Sequence, residues 1–197
     1  MKKSDIIIKL KKTLERKRFE HTLGVAYTAA ALAMCHDADM EKAYIAGLLH
    51  DCAKGMTDSE KLKYCKDHNL PIKPVEYDNP SLLHSKVGSY LADEVYEIKD
   101  KEIADAIFYH TTGKAGMGLL ESIIFVADYI EPGRTHDPEL PVIRKEAFND
   151  LNKTILHIYV NTIKHLQDTD SPIDTTTMIA YEYYAKQENN GKDNQTH

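Results

Sequence analysis

Six side chains with imidazole or carboxylate chemistry follow one another in the chain: His21, then adjacent His50 and Asp51, then His84, His110 and Asp128. Each stands in a stretch that otherwise reads as apolar helix. Residues 44–54, YIAGLLHDCAK, run apolar until an imidazole and a carboxylate stand side by side, and residues 123–128, IIFVAD, end in an acid in the same way. A carboxylate buried without a partner is costly, and a shared cation satisfies both acids at once. Neutral imidazole nitrogen and carboxylate oxygen suit iron, manganese or zinc, and a His/Asp set without Cys points away from a closed structural zinc site. Open coordination positions then remain for water and substrate.

Adjacent helical residues point about 100° apart, so His50 and Asp51 converge on one ion only if it sits off the helix flank, near other helices. Lys54 follows Asp51 by three residues on nearly the same face, where an ammonium neutralises phosphate oxygens or orients an attacking water. Arg18 precedes His21 by three and is suited to a bidentate phosphate contact. Thr111, Thr112 and Gly113 after His110 either cradle a phosphate or end a helix. Glu131 and Arg134 flank a turn past Asp128, as a salt bridge or as nucleotide contacts. Bland alternatives stand beside these readings. Asp128 pairs with Arg134 as a helix-end acid, His84 opens a helix, and His110 is a helix C-terminal His favoured by the macrodipole.

The order of the six resembles the HD-domain metallophosphohydrolases, in which a distant His, the His-Asp doublet and a later Asp bind one metal. In the dinuclear branch two further His lie between the doublet and the last Asp. RFEH (18–21), HDCAK (50–54), HS (84–85), HTTG (110–113) with Met117, and ADYIEPGR (127–134) together resemble the bacterial YqeK-like family of symmetrical diadenosine tetraphosphate hydrolases, across roughly residues 5 to 185. The resemblance implies an HD-domain helical bundle. It makes His21, His50, Asp51, His84, His110 and Asp128 ligands of two divalent ions, iron first and manganese next, with Asp51 bridging them. Asp51 and Lys54 are then catalytic, and Arg18, Lys54, Thr111, Thr112, Gly113, Glu131 and Arg134 meet substrate phosphate. The implied reaction is attack by a metal-bridged hydroxide, giving two ADP. Adenine and guanine nucleotides and dinucleoside polyphosphates are the implied partners, and association into a homodimer stays open. The rival readings are another HD-type nucleotide phosphohydrolase, a di-iron oxygenase and a nucleotide-sensing module.

With 197 residues, 42% of them hydrophobic, the chain has enough for one domain with a real core. A net charge of -6 argues against a duplex nucleic-acid binder. The basic run Lys9, Lys11, Lys12, Arg16, Lys17 and Arg18 reads, apart from Arg18, as a solvated helix face. Cys35, Cys52 and Cys65 are odd in number and lack CxxC spacing, which suggests a reducing cytoplasm; Cys52 reads as a small buried hydrophobe. No apolar stretch is long enough for a signal-peptide core or a membrane span.

Periodicity is helical almost throughout, so the expected class is all-α: a single domain over residues 1–186 and a polar, frayed tail over 187–197. Helices are expected from Ser4 to about residue 17, through the His21 segment to Cys35, from Asp39 through the doublet, and from a Thr57/Glu60 capping box to about residue 67. A loop with Pro71, Pro74 and Pro80 delivers His84. Further helices follow over 82–98, from Asp100 to near His110, over 119–130, 149–167 and 174–186. His36, His68, His136, His157, His165 and His197 are left out of the site, with His157 and His165 on one solvent-facing edge.

Overall fold

The structure is a computed structural model that describes residues 1–135 and 137–193, the last three by backbone alone. His136 and residues 194–197, the end of the expected tail, lie outside the described residues. Those described form helices without a strand, as the periodicity requires. In order they are α1 (Lys3–Thr13), α2 (Arg16–Cys35), α3 (Met40–Leu49), α4 (Asp58–Asp67), α5 (Pro74–Asp78), a 3₁₀ turn (Pro80–Leu82), α6 (Leu83–Glu94), α7 (Lys101–Tyr109), α8 (Leu119–Ile130), α9 (Leu140–Ala147), α10 (Leu151–Asp168) and α11 (Thr175–Asp193).

The centre is a packed group of α2, α3, α7 and α8, with α6 against α7 and the α9–α10–α11 layer against α8. On α2 the residues Val25, Ala26, Ala29, Leu32 and Ala33 are all buried, so its inner face is mostly small. That lets α3 come close: a Cβ on Gly47 would lie 2.7 Å from Ala26 Cα. α3 starts where the Asp39 carboxylate accepts the N–H groups of Glu41 and Lys42. The Thr57/Glu60 capping box at α4 is formed, and the Asp100 and Asp150 carboxylates accept backbone N–H groups at the starts of α7 and α10 as Asp39 does at α3.

Several boundaries differ from expectation. α1 stops at Thr13, and Leu14 and Glu15 are extended before α2 begins. The break folds α1 back so that Ile6, Leu10 and Leu14 reach the common core, which a straight helix would carry past it. α6 ends at Glu94, not near residue 98, because the chain turns through Glu97 at φ 59° and Ile98 N–H donates to Ala92 O. α9 was not expected. Pro141 masks it, although Pro is tolerated in a first turn and buried Leu140, Ile143 and Ala147 carry the helical spacing. α11 continues past residue 186 to Asp193; Lys186, Gln187 and Glu188 are good helix formers and no Pro interrupts them.

The Pro-containing loop is tied down at both ends. Buried Lys86 Nζ lies 2.6 Å from Glu76 Oε2 and also donates to Pro71 O, while Lys73 Nζ pairs with Asp174 at 3.1 Å. A satellite cluster of Ala53, Cys65, Leu83 and Val87 packs beneath it. His84 is thereby set in the first turn of α6.

Candidate metal centre

The six expected ligands come from five places in the chain and meet at one point. His21 lies on α2, His84 opens α6, His110 caps the end of α7 and Asp128 is in the last turns of α8. His50 and Asp51 correct the expectation that the doublet rides on a continuing helix. α3 ends at Leu49, and the chain goes on in tight turns with Cys52 N–H donating to Leu49 O and Lys54 N–H to Asp51 O. Residues three apart eclipse in such turns, so Lys54 stays on the side of Asp51 that faces solvent.

The orientation of the rings carries the chemistry. Nδ1 of His50, His84 and His110 lies 2.7, 2.6 and 2.7 Å from the carbonyls of Gly47, Ser81 and Ile107, each three residues earlier. A carbonyl only accepts, so each Nδ1 carries the proton and donates it. In the neutral ring Nε2 is left with a bare lone pair. His21 Nδ1 likewise donates to Glu131, whose carboxylate is 3.0 Å away, and its neutral ring then leaves the same lone pair on Nε2. The Nε2 atoms then face each other, at 3.1 Å for His84 and His110 and 3.3 Å for His21 and His50. Opposed lone pairs at that distance repel, and a cation beside both removes the repulsion.

Asp51 stands between the two pairs. Its Oδ2 is 3.5 Å from His50 Nε2 and 3.9 Å from His21 Nε2; its Oδ1 is 3.3 Å from His84 Nε2 and 3.6 Å from His110 Nε2. Oδ1 is buried without a hydrogen-bond partner, the state of a carboxylate oxygen made for a metal rather than for a donor. Asp128 Oδ1 lies 3.0 Å from His21 Nε2 and 3.9 Å from His50 Nε2. Three overlapping groups therefore offer donor atoms within 4.8 Å of one another: His21, His50, Asp51; His50, His110, Asp128; and Asp51, His84, His110. The donors fit divalent metal, with Asp51 offering one oxygen toward each pair of histidines.

Proton affinities follow the same geometry. Burial works to raise the Asp51 carboxyl, but His50, His110 and His84 outweigh it and hold it well below the usual carboxylate range. Asp128 is lowered likewise, against burial, by His21 first and then by His50, His110 and Arg134. Burial, then the neighbouring His110, pushes His84 down to about 3. His21 moves up: burial opposes this, but Asp128 and Glu131 prevail. Burial lowers the Lys54 ammonium, with Asp51 pulling the other way.

A cleft of about 260 Å³ opens over the centre, lined by Arg18, Lys54, Thr111 and Arg134 together with Asp51, His84, His110 and Asp128. Arg18 Nη1 lies 2.8 Å from Asp51 Oδ2, and Arg134 Nη2 lies 2.9 Å from Asp128 Oδ1. Lys54 has no ion-pair partner among the described residues and faces the same space. Three of the expected phosphate contacts do not line this cleft. Glu131 is buried and accepts from His21 and from the Gly133 N–H; it turns away from the cleft and sets the His21 ring. Thr112 and Gly113 take the helix-ending alternative. Gly113 has φ +61°, Tyr159 OH donates to Thr112 O, and a Cβ on Gly113 would fall 1.8 Å from the Tyr159 hydroxyl.

Sequence reasoning missed Arg144 on α9. Its Nε donates to Ile130 O at 2.8 Å, and Nη2 donates to Glu131 O at 2.9 Å and Arg134 O at 2.8 Å. These carbonyls close α8 and the turn after it, which ordinarily lack intrahelical partners. No local signal marks this Arg, since its acceptors are backbone groups of another element. His157 is also corrected: it is half-buried on α10, with Glu146 and Glu139 of the α9 region each 3.0 Å from its ring nitrogens.

Comparison with known proteins agrees with this geometry. The HD domain family model matches residues 18–133, and the chain belongs to the HD domain family. Within it, the chain groups with proteins named symmetrical bis(5'-nucleosyl)-tetraphosphatase. It is 37% identical to the one from Bacillus subtilis (strain 168), over 93% of this chain and 97% of that protein. It is 38% identical to the one from Halalkalibacterium halodurans, over 87% and 91%. A crystal structure from Clostridium acetobutylicum, described as a predicted HD superfamily hydrolase involved in NAD metabolism, superposes with a TM-score of 0.91. It is 39% identical and covers 95% of this chain and 98% of that one.

Proposed function

We propose that the protein hydrolyses diadenosine tetraphosphate at its central phosphoanhydride, giving two ADP, at a centre of two divalent ions held by His21, His50, Asp51, His84, His110 and Asp128. The observation that carries this is the division of Asp51, with Oδ2 toward His21 and His50 and the unpartnered Oδ1 toward His84 and His110. Two such ions, when bound, lower the pKa of a water and polarise the phosphoryl group.

The chain's own residues do the rest. Arg18, Lys54 and Arg134 set three positive charges around an otherwise acidic site, so a protein of net charge -6 receives a polyanion locally. The Thr111 hydroxyl, 3.3 Å from His110 Nε2, adds a polar group at the cleft wall. Water adds to one central phosphorus and the bond to the bridging oxygen breaks. The departing ADP carries the new negative charge, which Lys54 and Arg134 offset. These cations also weigh against a purely structural metal, which has no use for phosphate partners.

On the family resemblance iron is the ion we assign first and manganese second, and imidazole and carboxylate donors without thiolate are compatible with both. Adenine and guanine nucleotides are the ligand class. We place the protein in the cytoplasm on its three free cysteines; no described helix is long and apolar enough to cross a membrane. The test is chromatography after anaerobic incubation of metal-loaded protein with diadenosine tetraphosphate, beside a chelator-treated control. ADP alone, lost with chelator, is the expected result. ATP with AMP overturns the cleavage position, and turnover that appears only with oxygen overturns the hydrolytic reading in favour of an oxygenase.

A further inference from the structure

Beside the cationic cleft lies a second, smaller cavity of about 120 Å³ that shares His110, Thr111, Asp128 and Arg134 with it. The two spaces are therefore continuous along one edge of the centre, and together they reach the roughly 300 Å³ at which small-molecule sites begin. Their linings differ in kind. The cleft gathers Arg18, Lys54 and Arg134, whereas beyond the shared edge the smaller cavity has aromatic and aliphatic walls, Phe125, Tyr129 and Tyr159 among them, and a carboxylate, Asp137. Asp137 accepts from Tyr129 OH at 2.5 Å and from the Glu139 N–H at 2.8 Å, which fixes the Tyr129 ring as a wall. Thr162 of α10 and Thr177 of α11 contribute hydroxyls.

We infer that this cavity is the subsite for one nucleoside of the substrate. Beyond the shared edge, where Arg134 is the one cation of the lining and Asp137 adds a negative charge, a phosphate group is less favoured than beside the three cations of the cleft, so the charged part of a dinucleoside polyphosphate stays in the cleft. An uncharged ring fits walls of this kind, because bases stack on aromatic side chains and a few convergent hydroxyl and carboxylate groups orient them. The assignment rests on the proposed reaction and adds to it the residues that hold the nucleoside, Tyr129, Asp137, Tyr159, Thr162 and Thr177. None of these belongs to the motifs that hold metal or phosphate, apart from Tyr129 next to Asp128.

The test compares binding of ADP and of inorganic pyrophosphate to the metal-loaded protein by calorimetry. ADP binds about tenfold tighter or better if the nucleoside is held, the scale of one stacked base. Thr162→Phe, which fills the cavity without touching the cleft, removes that advantage and leaves pyrophosphate affinity and metal content unchanged; Thr162→Val retains most of it. Equal affinity of the parent protein for ADP and pyrophosphate overturns the assignment, and this comparison needs no variant to fold. A well-folded Thr162→Phe protein that keeps the full ADP preference overturns it as well. Failure of the underlying reaction is seen separately, as diadenosine tetraphosphate left intact by metal-loaded protein.

Discussion

His84 Nε2 and His110 Nε2 lie 3.1 Å apart, and both rings have spent their Nδ1 protons on carbonyls of their own helix ends. Two imidazoles so held have no hydrogen bond to offer each other. The arrangement is stable with a cation next to both nitrogens and strained without one. Asp51 Oδ1 completes that half of the centre. The other half repeats the pattern with His21, His50 and Asp51 Oδ2.

Asp51→Ala removes the one side chain common to both halves. Metal content measured by mass spectrometry falls to background, and the rise in melting temperature that metal gives the parent disappears. Full activity in a metal-free Asp51→Ala protein would sink the mechanism.

Arg18→Ala behaves differently. Arg18 is partly exposed at the mouth of the cleft and contributes no metal donor. Metal content stays at the parent level while KM for the polyphosphate rises about tenfold, the range of a charge-assisted contact. Loss of metal together with activity would place Arg18 in the support of the centre instead.

Arg144 and Glu131 support the His21/Asp128 half from behind. Glu131→Gln and Arg144→Ala should each weaken the binding of one ion by about 10- to 100-fold, the usual effect of removing a group that orients a ligand. The His84/His110 half keeps its ion. Metal titration followed by stoichiometry checks this, and loss of both ions in parallel would argue for general unfolding.

The chelated protein has a defined pH response. His84 titrates near 6.5 in the unfolded chain and at about 3 in the folded one, chiefly because of burial. The unfolded chain binds the extra proton between these values, so its contribution to stability is fully present above pH 6.5 and is lost as pH falls toward 3. The lowered carboxyls of Asp51 and Asp128 act in the same direction at still lower pH. Urea unfolding with chelator between pH 4 and about 7 should show stability falling with acidification, and His84→Gln should flatten the slope. An unchanged slope would remove His84 from the account.

Gly113→Ala tests the turn that ends α7. The φ of +61° disfavours any Cβ, and the new methyl would meet Tyr159 OH at 1.8 Å. A loss of about 1–3 kcal/mol is expected in denaturant unfolding, with metal affinity altered less than stability because His110 keeps its bond to Ile107 O.

The cluster of His21, His50, Asp51, His84, His110 and Asp128 was legible from the chain alone because their order is one that a linear motif records and because His50, His110 and Asp128 each close or directly follow an apolar run. The caps at Asp39, Thr57 and Asp100 were of the same sort, a short polar side chain answering N–H groups two or three residues ahead. The all-α class followed from periodicity, which is also a short-range property. The roles of Glu131 and Arg144 were not legible in this way. Glu131 meets His21 across 110 residues of chain, and nothing near either residue says whether that carboxylate turns toward an imidazole or toward phosphate. Arg144 acts on bare carbonyls 10 to 14 residues away, groups that every residue carries and no motif can single out. Tertiary structure likewise decided which oxygen of Asp51 faces which pair of histidines, because that depends on how five separate segments pack around one buried carboxylate.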